Sequence, residues 1–235
     1  MIRLISMPTM QGREIFAKKA IESLLVQKFD KMIIHLNGKV DISLFPKSKK
    51  IIYKKYKKNM GPIIRYKIRN LKFDYLFTVD DDIIYPENYI SQTISNFFKY
   101  KQNVISYHAH HWSCNSKLSY SDKITVRYDQ ETASEAQKTV LGSGVSMFPK
   151  ETFKFASHLD SDDFWLNDDL WASYIVHLSG KRIIRPPTPK NWIKKQVPHP
   201  HDTLYDLSLS ENFSERNMLI NKLYFKYNYN FSLKQ

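Results

Sequence analysis

Three consecutive carboxylates, Asp80, Asp81 and Asp82, end an apolar run that starts at Phe73 and continues through Tyr75, Leu76, Phe77, Thr78 and Val79. Like charges this close repel one another and need solvent or a compensating cation. A hard divalent ion such as Mg²⁺ or Mn²⁺, with a diphosphate on its far side, suits such oxygens. A D-x-D at a strand end lets one carboxylate take the metal while its neighbour reaches a ribose or a bound water. The ordinary alternative is a solvated acidic turn. The hydrophobic run in front weighs against it. A second acidic pair, Asp168-Asp169, follows Trp165-Leu166 and opens a helix. Aspartates there cap amides and suit the helix dipole. One of them could equally face a site as a general base.

Other residues offer phosphate or sugar contacts. Asn59-Met60-Gly61-Pro62-Ile63-Ile64-Arg65 places an amide, a glycine turn and an arginine at one helix start, and Arg13 after Pro8-Thr9 has the same logic. Gly142-Ser143-Gly144 would let a ligand approach the backbone, or form a bulge. It is neither a dinucleotide fingerprint nor a Walker loop. His199 and His201, in a proline-rich segment, could supply a metal ligand, although a surface loop is the commoner outcome. His108, His110 and His111 precede Trp112. With one cysteine and no second ligand pair, zinc is disfavoured and an acceptor cleft is the better use.

The elements that must position these residues alternate. A strand at Ile2–Ser6 leads to a helix from Arg13 to Gln27, a strand at Lys31–Leu36 ending in Asn37, and a short strand at Lys50–Tyr53. A second helix is expected from Gly61-Pro62 to about Asn70, and then the strand that ends in the acidic triplet. Residues 86–100 give a third helix with one apolar stripe, and Asn103–Tyr107 a strand. Residues 113–138 read as an irregular insertion. Thr139–Phe148 is a strand with a glycine break. A helix from Asp169 is closed by Gly180, Lys181–Arg185 is a strand, and a last helix covers Glu211 to about Tyr227. This alternation predicts an α/β fold, a mainly parallel doubly wound sheet with helices on both faces. Ligands bind such sheets outside the carboxyl ends of the strands, where the triplet falls.

With 235 residues, 42% hydrophobic and 14% aromatic, the chain can bury a sizeable core. Its net charge of +13 implies anionic partners. Cys114 is the only cysteine, so an intrachain disulfide is excluded and a reducing compartment is expected. No apolar run nears the ~20 residues of a membrane span, and the N-terminus is too short in apolar residues for a signal peptide. Seven lysines between Lys47 and Lys58 read either as a nucleic-acid patch or as an edge strand blunted by charge. The basic and aromatic C-terminus suits a membrane interface or core packing.

The order G-P-x-x-R at Gly61–Arg65, D-D-D-x-x-Y-P at Asp80–Pro86 and D-D-x-W at Asp168–Trp171 resembles GT-A glycosyltransferases, specifically bacterial enzymes related to family 2. The layout is also similar to exostosin-like hexosaminyltransferase domains. The resemblance covers residues 1–205 as a catalytic domain, with a nucleotide-binding half over about 1–85 and an acceptor half over about 86–205. Residues 206–235, a helix and a basic, aromatic tail, lie outside it. It implies that Thr9, Arg13, Asn37, Asn59 and Arg65 hold the nucleotide, that Asp80 or Asp81 contacts ribose, and that Asp82, with Asp80, binds Mn²⁺ or Mg²⁺. Gly142, Ser143 and Gly144 would face the transferred sugar. Asp169 would be the base, with Asp168 beside it, and His201 or His199 would complete the metal site.

The implied activity is transfer of a hexosyl or hexosaminyl group from a nucleoside-diphosphate sugar, with a UDP-sugar favoured. The acceptor would be a glycan or a lipid-linked molecule, in surface polysaccharide synthesis. The implied setting is cytoplasmic, peripheral at the anionic inner membrane face, without nucleic acid. Two other classes stay open on the residues alone. One is a sugar-phosphate nucleotidyltransferase, disfavoured because Met7–Arg13 holds a single glycine. The other is a basic nucleic-acid or membrane-binding module, disfavoured by the carboxylate-rich centre.

Overall fold

The computed structural model describes residues 1–68, 71–113, 118–157, 160–196, 209–211 and 213–232. Cys114, His199 and His201 lie outside the described residues. In chain order the elements are β1 (Arg3–Met10), α1 (Glu14–Leu25), β2 (Lys31–Asn37), β3 (Ile51–Tyr56), β4 (Tyr75–Val79), β5 (Ile83–Ile84) and α2 (Tyr89–Lys99). There follow β6 (Val104–Ser106), β7 (Ala109–His111), β8 (Ile124–Val126), β9 (Ala136–Lys138), β10 (Val140–Leu141) and β11 (Val145–Pro149). The chain continues with α3 (Asp168–Leu178), β12 (Ile183–Arg185), β13 (Lys194–Lys195) and α4 (Ser214–Tyr227).

The fold is mixed α/β around one large, mainly parallel sheet. Eight strands lie in the order β3-β2-β1-β4-β11-β6-β12-β9. Strands β1 to β4 are mutually parallel, and β12 is parallel to β6. Strand β11 runs against both β4 and β6, and β9 against β12. All five residues of β4 are buried, which requires cover on both faces of the sheet. One face carries α1 and α2, whose Ala17, Ile21, Leu24, Tyr89 and Phe97 pack with Ile5, Ile34 and Phe77. The other carries α3 and α4, whose Leu170, Ile175, Leu219 and Leu223 pack with Leu4, Ile33 and Leu76. Helix α4 is held there by Leu219, Ile220 and Leu223, all essentially inaccessible. Each contributes on the order of 2 kcal/mol by burial, more than an exposed ion pair supplies. The lysine-rich segment includes β3, one of the two edge strands of the sheet.

Two local expectations are corrected. The segment after Gly61 is a 3₁₀ turn, Pro62–Tyr66, not an α-helix. Its Ile63, Ile64, Arg65 and Tyr66 are consecutively buried, so it has no polar face for a surface helix to show. The Arg65 carbonyl is also taken by Ser6 Oγ at 2.7 Å. The second correction concerns 113–138, expected to be irregular. It contains β8 and β9, and β9 joins the main sheet through β12. Three-residue strands carry too little alternation to be read from sequence. Buried Arg185 fastens this segment by donating to the carbonyls of Arg127 and Gln130. Elsewhere the glycine break divides Thr139–Phe148 into β10 and β11, which belong to different sheets.

Candidate active site

Strands β1, β2 and β4 are parallel, so Thr9, Asn37 and Asp80 reach the same sheet edge. Strand β11 runs the other way, so the residues entering it meet those leaving β4. Val145 pairs with Val79, which sets Gly144 beside Asp80. A Cβ on Gly144 would lie 1.8 Å from Asp80 Oδ2, so only glycine admits the carboxylate where it stands. The Tyr85 phenol clasps the two segments. It donates to Gly144 O at 2.6 Å and accepts from the Asp80 N–H at 2.8 Å.

Arginines organise the acidic groups. Arg13 grips Asp81 through Nε at 3.0 Å and Nη2 at 2.5 Å, and its Nη2 lies 3.1 Å from Asp82 Oδ2. Thr9 Oγ1 donates to Asp81 Oδ2 at 2.7 Å. Thr9 and Arg13, expected at the nucleotide, thus hold Asp81 and shape the acidic turn. The Asp82 carboxyl is pushed up to about 6 by burial and by Asp80 and Asp81, with Arg13 opposing. From the far side, β13 pairs with β5 and Gln196 donates its backbone N–H to Asp82 O at 3.1 Å, a strap not anticipated from the sequence.

Arg65 connects this turn to the second acidic pair. Its Nη2 donates to Asp80 Oδ1 at 2.7 Å, and its Nε lies 3.1 Å from Asp168 Oδ2. The Nε–H donates to Pro62 O at 3.2 Å, so the Asp168 contact is one of charge. Asp168 Oδ2 is buried without a hydrogen-bond donor among the described residues. Burial pushes the Asp168 carboxyl up to about 6. Arg65 pulls it down, while Asp169 and Asp80 add to the rise.

A buried chain behind Arg65 fixes its backbone. Ser6 Oγ donates its one hydrogen to the Arg65 carbonyl, so His35 Nε2, 3.0 Å away, must donate to Ser6. Burial lowers His35 to about 3, so the ring is neutral and its Nδ1 accepts from Tyr56 OH at 3.1 Å.

Asn37 and Asn59 come together at the turn before Pro62. Asn37 Oδ1 accepts from the Met60 N–H at 3.0 Å and Asn59 Oδ1 from the Gly61 N–H at 2.9 Å. Gly61 has φ of +69° and its Cβ would lie 2.1 Å from Trp165 O, so glycine is required there. Ser143 Oγ accepts from Tyr66 OH at 3.2 Å.

Asp169 has partners the sequence does not announce. Its Oδ1 accepts from the Leu170 N–H at 2.9 Å, and its Oδ2 accepts from Arg216 Nη1 at 3.0 Å. His110 Nε2 lies 4.0 Å from the same oxygen. Burial lowers His108 to about 4 and His110 well below its usual range, so both rings are neutral in this wall. Among the described residues no three His, Cys, Asp or Glu side chains converge as a metal cage. A magnesium-type ion bound through a diphosphate needs only one or two protein carboxylates. Asp80 and Asp82, the latter raised by the charge of the former, fit that donor set.

No protein-family model and no curated protein matches the chain. Solved structures match it in fold. The crystal structure of S. aureus TarS has a TM-score of 0.59 at 11% identity, over 96% of this chain and 40% of that one. The structures of S. aureus TarS 1–349, alone and in complex with UDP, each have a TM-score of 0.56 at 12% identity, over 81% of this chain and 59% of theirs. The chain therefore spans 40% to 59% of the length of these structures. At such identity the likeness is one of architecture, and the chain shares the α/β fold of these structures.

Proposed function

We propose that the chain is a metal-dependent glycosyltransferase on a GT-A-type scaffold, taking a sugar from a nucleoside-diphosphate donor to a glycan or lipid-linked acceptor. The observation that carries this reading is the Arg65 bridge. It ties a carboxylate edge suited to a cation, Asp80–Asp82, to a carboxylate pair suited to proton transfer, Asp168-Asp169. The fold likeness to TarS, a glycosyltransferase with one structure in complex with UDP, supports a UDP-sugar as donor.

Asp80 and Asp82 would hold the metal, with His201 as the expected third ligand. Bound Mg²⁺ or Mn²⁺ supplies charge neutralisation for the departing diphosphate. Arg13 and Thr9 keep the acidic turn in register by fixing Asp81. The space that Gly142 and Gly144 leave is taken by His108 and the Asp80 carboxylate, so these glycines would shape the sugar site by seating those two side chains. In a direct displacement the acceptor oxygen bonds to the anomeric carbon, the bond from that carbon to the diphosphate oxygen breaks, and the acceptor proton passes to Asp169. A lipid-linked acceptor would be met at the inner membrane face, where a chain of net charge +13 is attracted to anionic lipid. Among the described residues no helix is long and apolar enough to cross a membrane.

The test is UDP release from a panel of UDP-sugars with Mn²⁺, with chelator, and in Asp169→Asn. Metal-dependent release that falls at least a hundredfold in Asp169→Asn supports the reading, within the range of general-base contributions. Pyrophosphate formation from UTP and a sugar phosphate, with no UDP release, would replace it with nucleotidyl transfer.

A further inference from the structure

Helix α4 lies outside residues 1–205, whose sequence motifs resemble the glycosyltransferases, yet it reaches the candidate base. Arg216 donates to Asp169 Oδ2 at 3.0 Å and is 10% exposed. Its guanidinium carbon stands 4.5 Å from the Tyr120 ring centroid. Tyr120 is fixed in turn, because its N–H donates to Asn217 Oδ1, the next residue of α4, at 2.7 Å. Glu215, the preceding residue, accepts from Asn167 Nδ2 at 3.2 Å, at the residue just before α3. Three successive residues of α4 therefore frame the start of α3 and the Tyr120 wall.

The pairing leaves Asp169 with one fixed donor on each oxygen, Leu170 N–H on Oδ1 and Arg216 Nη1 on Oδ2. A carboxylate oxygen has two acceptor directions, so each keeps one for a substrate hydroxyl. Neutral His110 adds no positive charge. The helix does not need this pair for docking, since Leu219, Ile220 and Leu223 are fully packed. A buried ion pair is, moreover, a weak source of net stability compared with apolar side chains.

We infer that Arg216 is a positioning residue for the base: it orients the Asp169 carboxylate, so the C-terminal helix completes the acceptor side of the active site. The inference rests on the glycosyl-transfer reading and adds to it a residue from beyond the stretch that carries the sequence motifs. Without Arg216 only the Leu170 N–H on Oδ1 would hold the carboxylate, and Oδ2 would have no fixed donor. With Arg216 in place, one lone pair of Oδ2 keeps a fixed direction.

The experiment compares wild type, Arg216→Met, Arg216→Lys and Leu223→Ala. It measures UDP affinity with Mn²⁺, and kcat and KM for UDP release from UDP-glucose and UDP-N-acetylglucosamine. Arg216→Met is expected to lower kcat about 10- to 100-fold, part of what a general base supplies, with UDP affinity and donor KM within about twofold. Arg216→Lys should recover much of that loss. Leu223→Ala should lower the melting temperature and keep kcat within about twofold, because it loosens the helix without touching Asp169. Unchanged kcat in Arg216→Met would overturn the inference. So would an equal loss in Leu223→Ala, or a loss of UDP affinity in Arg216→Met. If wild type binds no UDP, the glycosyl-transfer reading fails first, and this inference falls with it.

Discussion

Arg65 stands between carboxylates from two distant parts of the chain, donating to Asp80 at 2.7 Å and lying 3.1 Å from Asp168. Its side chain is 4% exposed and that of Asp168 9%, so their contact is little screened by solvent, whereas Asp80, at 37%, is screened in part. Removing the cation leaves two acidic groups partly or wholly buried without it. Arg65→Met should therefore destabilise the protein by about 3–5 kcal/mol in urea unfolding. Arg65→Lys should recover only part, because one ammonium cannot reproduce the fork that spans both acids. A loss below 1 kcal/mol in Arg65→Met would show that the two carboxylates do not depend on it.

Asp168 makes a pH prediction. Burial raises its carboxyl from an ordinary 3.8 to about 6. Between those values the folded protein holds a proton that the unfolded chain has released, so stability contributed by this group falls as pH rises through the window. A rise of this size corresponds to roughly 3 kcal/mol. Asp168→Asn should accordingly gain about that much on wild type between pH 4 and pH 7, measured by urea unfolding at both. A difference that does not change with pH would refute the assignment.

Asp82 should show opposite effects on stability and binding. It is held up to about 6 by burial and two neighbouring aspartates, so its charge is unfavourable in the metal-free protein. Asp82→Asn should raise the melting temperature of that form at pH 7 while removing the Mn²⁺-dependent stabilisation by UDP. In wild type that stabilisation should shrink as pH falls from 7 to 5, because protons compete with the cation. A variant that is both less stable and still metal-responsive would contradict this role.

Gly144→Ala tests the close approach at the strand junction. Its methyl would fall 1.8 Å from Asp80 Oδ2, and the carboxylate, not the backbone, is the softer neighbour. Asp80 should swing away from Arg65. UDP affinity with Mn²⁺ should drop tenfold or more, with a stability cost of about 1–3 kcal/mol. Unaltered affinity would mean that Asp80 is not needed where it stands.

Parts of this site are legible in the sequence, and the reasons are local. The run from Phe73 to Val79 is apolar, β-prone and closed by charge, so both β4 and the position of Asp80 at its end follow from it. Asp168-Asp169 opens α3 as its composition suggests. The partners of the arginines are another matter. Nothing near Arg13 or Arg65 in the chain distinguishes an arginine that meets phosphate from one that grips Asp81 or bridges Asp80 and Asp168. Arg216 is 47 residues from Asp169, on a helix whose apolar pattern is mixed, with Met218 and Phe225 exposed. His35 reads as one residue of a buried strand. Its service to Arg65 through Ser6 depends on strand register, which pairs Ser6 with Ile33 and thereby sets His35 close by. The Pro62–Tyr66 turn is not legible because a Gly-Pro start signals a helix whether or not a polar face follows.

The most direct measurement is thermal unfolding of the wild-type protein with UDP, alone, with Mn²⁺ and with chelator. A ligand at a hundredfold excess over its Kd stabilises by about 2.7 kcal/mol, a readily measured rise in melting temperature. The account predicts a rise with UDP and Mn²⁺ together that chelator abolishes. No rise with UDP or any other nucleoside diphosphate, or a rise that chelator leaves intact, would contradict a metal-bound nucleotide at Asp80 and Asp82.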